Sequence, residues 1–332
     1  MGELDMENGS DGQRGERISL FARIGNAATW LAAALGAIML DSVLCRAVSL
    51  AVLAVFRTQV EAIPAGQMIT GTPLVALMAA AGVTEAVVFV GWWLYLRPRS
   101  FLMRRASRFD MRRAVFAAGA LALLGVGLQM AISLLLSWIL PLFPSYSAEY
   151  SELMGSEYFS NTELLSMTAV SVLAPIAEEA LFRGVVFELS LRAVCPEARP
   201  LWRRRPSHDE LSEESHDTHP APPSFSISAP RFWCANAIQA LLFGVLHGNV
   251  VQGAYAFALG LVFGWIDWRA GKLWCGIFLH FAVNLSLYFV ANLAVIYRVW
   301  GTLGYVVCIA TLLACGFELF SRVTTRRGST SA

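Results

Sequence analysis

The sequence predicts an all-α fold, a polytopic integral membrane helical bundle of about eight transmembrane helices. Three observations carry this expectation. The 332-residue chain is 56% hydrophobic, with a mean hydropathy of +0.56. Only 15% of its residues are charged, against roughly 25% in ordinary soluble domains. Apolar runs near the length needed to cross a bilayer, about 20 residues, recur along most of the chain. The net charge of +1 and the lack of a basic patch interleaved with aromatics give no sign of nucleic acid as a partner. Six scattered cysteines (Cys45, Cys195, Cys234, Cys275, Cys308, Cys315) form no CxxC pair and read as small apolar residues.

The elements follow in order. Residues 1–17 are a polar cytoplasmic N-terminus with five acids. They lack the basic-then-apolar pattern of a cleaved signal peptide, so the first apolar run reads as a retained span. Residues 18–140 hold the N-terminal membrane helices, at 20–40, 73–96 and 114–140. The segment 41–72 either extends the first helix or lies in the interface, because Val43 to Phe56 is interrupted by Arg46. A second membrane unit at 164–320 holds spans at 164–191, 233–250, 252–268, 274–296 and 300–320. Its 196–231 loop contains seven of the thirteen prolines and three of the five histidines (His208, His216, His219). That composition cannot build a packed core and reads as a disordered cytoplasmic insertion rather than a metal cluster. Residues 321–332 are a polar tail.

Arginines set the orientation. Seven lie between Arg97 and Arg113, and no basic residue occurs from Ala114 to Phe182. Basic residues return after the fourth span, between the sixth and seventh, and at Arg322, Arg326 and Arg327. This alternation fits a multi-pass protein of a cell inner or plasma membrane with both termini cytoplasmic. Arg46 and Arg57 run against it.

Within the apolar spans, a few residues stand out chemically. Glu178 and Glu179 are adjacent inside an apolar run. An intramembrane carboxylate costs a few kcal/mol, roughly 2.5–3.5 on insertion scales. Glu179 and Arg183 are spaced i, i+4, so they can pair along one helix. Phe243 with His247, and His280 with Asn284, share that same-face spacing. Glu178 is then the free carboxylate, suited to act as general base on a water. His247 can hold that water or bind a metal, and His280 and Asn284 can donate to a developing oxyanion. A lone buried histidine or a lone Glu–Arg pair is commonly structural in membranes. Three such elements on three apolar spans are harder to explain that way. Glu85 and Gln129 could each line the cavity but read mainly as structural hydrogen bonders, and Asp267 and Arg269 read as a surface pair at a turn. Trp92, Trp93 and Tyr95, with Trp265, Trp268 and Trp274, read as interfacial anchors.

The ordered set Glu178-Glu179-x-x-x-Arg183, Phe243-x-x-x-His247 and His280-x-x-x-Asn284 resembles the CAAX prenyl endopeptidase family, the CPBP intramembrane proteases grouped with bacterial Abi proteins. Pro175, Phe182 and Gly184 fit the same pattern. The resemblance covers roughly 164–296. It implies an eight-helix catalytic membrane core, with Glu178, His247, His280 and Asn284 as the catalytic set and Glu179, Arg183 and Phe243 in support. It implies a peptide or protein substrate at the lipid bilayer, in eukaryotic members a prenylated one. Zinc at His247 and His280 and a metal-free mechanism both fit these residues, with a slight preference for the metal-free one. The competing readings are a non-enzymatic immunity or scaffold protein of the same fold, and an ion-coupled transporter.

Overall fold

The computed structural model describes residues 19–62, 71–102, 110–155, 164–196 and 227–325. The expected N-terminal tail, nearly all of the expected 196–231 insertion and its histidines, and the end of the C-terminal tail lie outside these residues. Among the described residues there is no strand. The principal helices are α1 (Leu20–Val55), α2 (Thr72–Leu96), α3 (Met111–Ile139), α4 (Leu164–Val194), α5 (Ala229–Leu246), α6 (Val250–Ala270), α7 (Leu273–Leu287) and α8 (Val290–Thr324). By length and composition, α1, α2, α3, α4, α6 and α8 qualify to cross a membrane, six among the described residues. The other two expected spans are helices of the same bundle. α5 is 18 residues long and carries Arg231, Asn236 and Gln239, and α7 has only 15 residues. The protein is a multi-pass helical membrane bundle.

Several boundaries differ from expectation for identifiable reasons. α1 runs unbroken through 36 residues, because Asp41 and Arg46 interrupt hydropathy without interrupting the backbone ladder. The turn expected between the last two spans comes earlier, at Tyr288 and Phe289. Apolar residues continue through it, so composition cannot locate it. α8 is instead kinked at Gly301, which adopts φ 65° and ψ −171°. α5 ends at Leu246, ahead of Gly248 at φ 68°, a left-handed position that terminates helices. His247 therefore sits at the helix end and not within a span.

Two large apolar cores stand out among the described residues. One gathers α1, α2, α4 and α5 around Phe89, Phe182, Phe187 and Phe243. The other gathers α3, α6, α7 and α8 around Leu121, Phe263, Leu279 and Phe320. α5 and α6 hold the cores together through close backbone approach. A Cβ on Gly244 would lie 2.6 Å from the Gly253 carbonyl oxygen, and one on Gly260 would lie 3.0 Å from Ala240. Small residues permit this contact, and interhelical hydrogen bonds reinforce it. Asn236 donates to the Leu261 carbonyl at 2.9 Å, and Gln239 donates to the Gly260 carbonyl at 2.9 Å.

The Asp267–Arg269 surface pair does not form. Asp267 is fully buried and accepts a hydrogen bond from the Gly276 amide at 2.6 Å. It thereby satisfies one of the unpaired N–H groups at the start of α7. Arg269 turns to α8, donating to Thr324 Oγ1 at 3.0 Å. Trp93 and Trp268 are also core residues and not belt anchors: each is 6% exposed, and Trp268 stacks on Phe232 with centroids 5.1 Å apart. Because a Cβ at Gly276 would collide with the Asp267 carboxylate, Gly276→Ala is expected to cost about 1–3 kcal/mol through overpacking. The unfolding midpoint of the detergent-solubilised protein measures this.

Candidate active site

α4 is not a regular α-helix, and its irregularities bracket the two glutamates. Ala169–Leu173 and Ala180–Val186 are π-helical, with the α-helical turn Ala174–Glu179 between them. Pro175 explains the first. The Ala174 amide bonds five residues back, to the Ala169 carbonyl. The next bond in that series would run from residue 175 to the Val170 carbonyl, but proline has no N–H to give. The orphaned Val170 oxygen is taken by Asn284 of α7, whose Nδ2 donates to it at 3.0 Å. π-Bulges of this kind recur at functional sites.

Glu179 and Arg183 are both completely buried, with Arg183 NH1 3.1 Å from Glu179 Oε1. That contact lacks hydrogen-bond alignment, so attraction between whole charges dominates it. Two aromatic faces supplement it: the Arg183 guanidinium lies 4.3 Å from the Phe243 ring centroid and 5.1 Å from that of Phe263. Such cation–π contacts are worth up to about 2 kcal/mol when desolvated. Gly260 leaves the room, since a Cβ there would sit 3.3 Å from Arg183 NH2.

His280 joins the two glutamates. Its Nδ1 is 2.8 Å from Glu179 Oε1, and its Nε2 is 3.8 Å from Glu178 Oε2. A carboxylate can only accept, so His280 Nδ1 carries the proton and Nε2 faces Glu178. The ring is held between aromatics, 5.0 Å from Phe263 and 6.0 Å from Phe243. Glu178 differs sharply from its neighbour: its side chain is 31% exposed and lines a cavity of about 130 Å³. His247 lines the same cavity, together with Phe182, Phe243 and Leu181. Its Nδ1 lies 2.8 Å from the Phe243 carbonyl oxygen, which fixes the proton on Nδ1 and leaves Nε2 as the basic nitrogen of the neutral ring. The Phe243 and His247 rings meet edge to face at 4.7 Å.

The structure thus brings Glu178, His247 and His280 around Phe243, and places Asn284 on α7 with one amide hydrogen committed to Val170. Two residues, Phe263 and Asp41, escaped the sequence reading. Phe263 is one of twenty phenylalanines, and nothing in sequence marks it. Asp41 and Glu85 also line the cavity, and Glu85 accepts from the Cys45 thiol at 2.6 Å. Glu85 had signalled itself as an acid within a span, whereas Asp41 had been obscured by the uncertain path of 41–72. Tested as a zinc pair, His247 and His280 each have Nδ1 engaged within the protein. Among the described residues, the donor set of metal-binding dimensions is Asp41, Cys45 and Glu85, and neither histidine belongs to it.

Removing one partner of a buried ion pair strands the other charge, at about 3–5 kcal/mol. Arg183→Met is therefore expected to lower stability by that amount. The double variant Glu179→Gln/Arg183→Met should lose less than the single one. Denaturant unfolding in detergent distinguishes the two.

No curated protein and no solved structure matches the chain. Residues 160–286 match the family model described as type II CAAX prenyl endopeptidase Rce1-like. This segment reaches from just before α4 to the last turn of α7 and contains Glu178, Glu179, Arg183, His247, His280 and Asn284. Over this segment the chain is similar to the CAAX prenyl endopeptidases.

Proposed function

We propose that the protein is an intramembrane endopeptidase that cleaves a protein substrate near the cytoplasmic membrane face by means of a glutamate-activated water. The carrying observation is that Glu178, partly exposed, and His247 line one cavity, while Glu178's neighbour Glu179 is buried in an ion pair. The two acids thus have separate work. A cavity of about 130 Å³ has room for roughly four waters at about 30 Å³ each, so a nucleophile can be held beside Glu178.

In this reading, Glu178 takes a proton from a water that His247 Nε2 orients. The resulting hydroxide attacks the scissile carbonyl carbon. The developing oxyanion is met by His280, as imidazolium donating from Nε2, and by the second amide hydrogen of Asn284. The proton held on Glu178 then passes to the leaving amine as the C–N bond breaks. Glu179 and Arg183 act as positioning residues: Glu179 fixes the His280 ring at 2.8 Å, and Arg183 balances Glu179. The chemistry needs no metal at His247 or His280. The family match favours a substrate carrying a C-terminal lipid, and the arginine distribution favours cytoplasmic termini.

Glu178→Gln tests this. Amide replaces carboxylate with little change in shape, and the loss of a general base typically costs 10²–10⁴-fold. Peptide release from a membrane-anchored reporter should fall by about that factor while the unfolding midpoint stays within experimental scatter. Undiminished cleavage by the variant overturns the assignment. A cellular phenotype that survives Glu178→Gln would instead favour a scaffold role.

A further inference from the structure

Across the cavity from the α5 end lies a second group of ligands that the proteolytic reading does not use. Asp41 and Cys45 are one turn apart on α1, and Glu85 faces them from α2. Their donor atoms all lie within 4.8 Å of one another. Asp41 and Glu85 line the same cavity as Glu178 and His247. Asp41 is only 8% exposed, and no hydrogen bond or ion pair engages its carboxylate among the described residues. Glu178 Oε2, on the same cavity, is likewise buried without a hydrogen-bond partner. Three carboxylates thus share one small, largely apolar chamber with no cation beside Asp41 or Glu85 among the described residues. Charge burial of this kind is costly unless a counter-charge is supplied.

We propose that Asp41, Cys45 and Glu85 form a binding site for a divalent transition-metal ion of the zinc type, its remaining coordination position open to the cavity. Two oxygens and one sulfur suit zinc, whose bonds of about 2.0–2.2 Å to oxygen and 2.3 Å to sulfur set tetrahedral donors roughly 3.3–3.6 Å apart. The donor atoms, all within 4.8 Å of one another, would have to shift by about an ångström to reach it. A thiolate selects a borderline or soft ion, and three protein donors are too few for calcium, which takes six to eight oxygens. On binding, the Cys45 thiol gives its proton to solvent and the sulfur bonds the ion as thiolate. The shared i, i+4 face of α1 holds two donors in register, and α2 supplies the third. All three residues lie outside the segment 160–286 that matches the protease family, and the inference does not depend on the protease reading.

The test uses the full chain in detergent, stripped with chelator and titrated with Co²⁺ in place of Zn²⁺. One Co²⁺ per chain is expected, with a thiolate-to-cobalt charge-transfer band in the near ultraviolet. Cys45→Ser should remove the band, while Cys234→Ser, at an exposed cysteine, should not. Asp41→Asn and Glu85→Gln should each weaken binding more than tenfold yet retain the band at saturation, which keeps the test informative should Cys45→Ser fold poorly. Glu178→Gln should keep the ion even where it abolishes proteolysis, so the two readings fail separately. The proposal is overturned by absence of stoichiometric uptake, or by a band that survives Cys45→Ser. Uptake that is lost in His247→Ala but untouched by Asp41→Asn also overturns it, since the ion would then sit at the histidines.

Discussion

The Arg183 guanidinium has no exposed side-chain surface, and the centre of the bundle is arranged around its charge. In an interior of low dielectric, an isolated cation is prohibitive. Each neighbour reduces that cost in a different way. Glu179 supplies opposite charge one turn away. Phe243 and Phe263 supply ring faces from α5 and α6. Gly260 and Ala240 let those helices close up tightly enough for both rings to reach it. Fixing Glu179 in turn fixes His280, because a single carboxylate oxygen receives both the guanidinium at 3.1 Å and the imidazole Nδ1 at 2.8 Å. The charge that is most expensive to bury thus orients a ring whose Nε2 faces Glu178 at 3.8 Å.

Backbone irregularity on α4 serves the same end. A π segment adds a residue to the turn and leaves carbonyls open, and Pro175 withholds the N–H that would have closed one of them. Asn284 fills the vacancy from α7, so a defect in one helix becomes a tie between the two apolar cores. The tie lies one turn beyond His280, and both residues hold α7 against α4. Further along α4, a second buried pair, Glu188 with Arg192 at 2.7 Å, does similar work. Glu188 accepts from the Phe101 amide at 2.8 Å, and Arg192 donates to the Arg99 carbonyl at 3.0 Å. Read from sequence, Arg192 belonged to a basic cytoplasmic end; folded, it pins the turn after α2 to the central helix.

The two glutamates show how little separation in sequence is needed for opposite environments. Adjacent positions on a helix differ by about 100°. Here that rotation carries Glu179 into the sealed interior and leaves Glu178 on the cavity wall. A buried charge and a cavity-facing carboxylate are therefore achieved by one dipeptide, provided that the surrounding helices enclose one side and not the other. α1 and α2 complete the open side. They bring Asp41 and Glu85 to a chamber whose other wall carries residues of the family-matched segment.

The sequence by itself determined the fold class and the approximate place of most helices, and it nominated candidate residues for the site. It could do so because bilayer-length hydropathy and i, i+4 spacing are local properties, and because charge inside an apolar run stands out without any coordinates. It did not locate the α7–α8 turn, where hydropathy is continuous, or the end of α5, where one left-handed glycine decides. Contacts between distant segments lay beyond it altogether. That Asp267 caps α7 rather than facing water, that Phe263 lies against Arg183, that Asn284 answers Pro175 across 109 positions, and that Asp41 and Glu85 reach the cavity of Glu178 all depend on how helices pack. Packing is set by shape complementarity between faces that no single stretch of sequence contains, so only the tertiary structure could decide them.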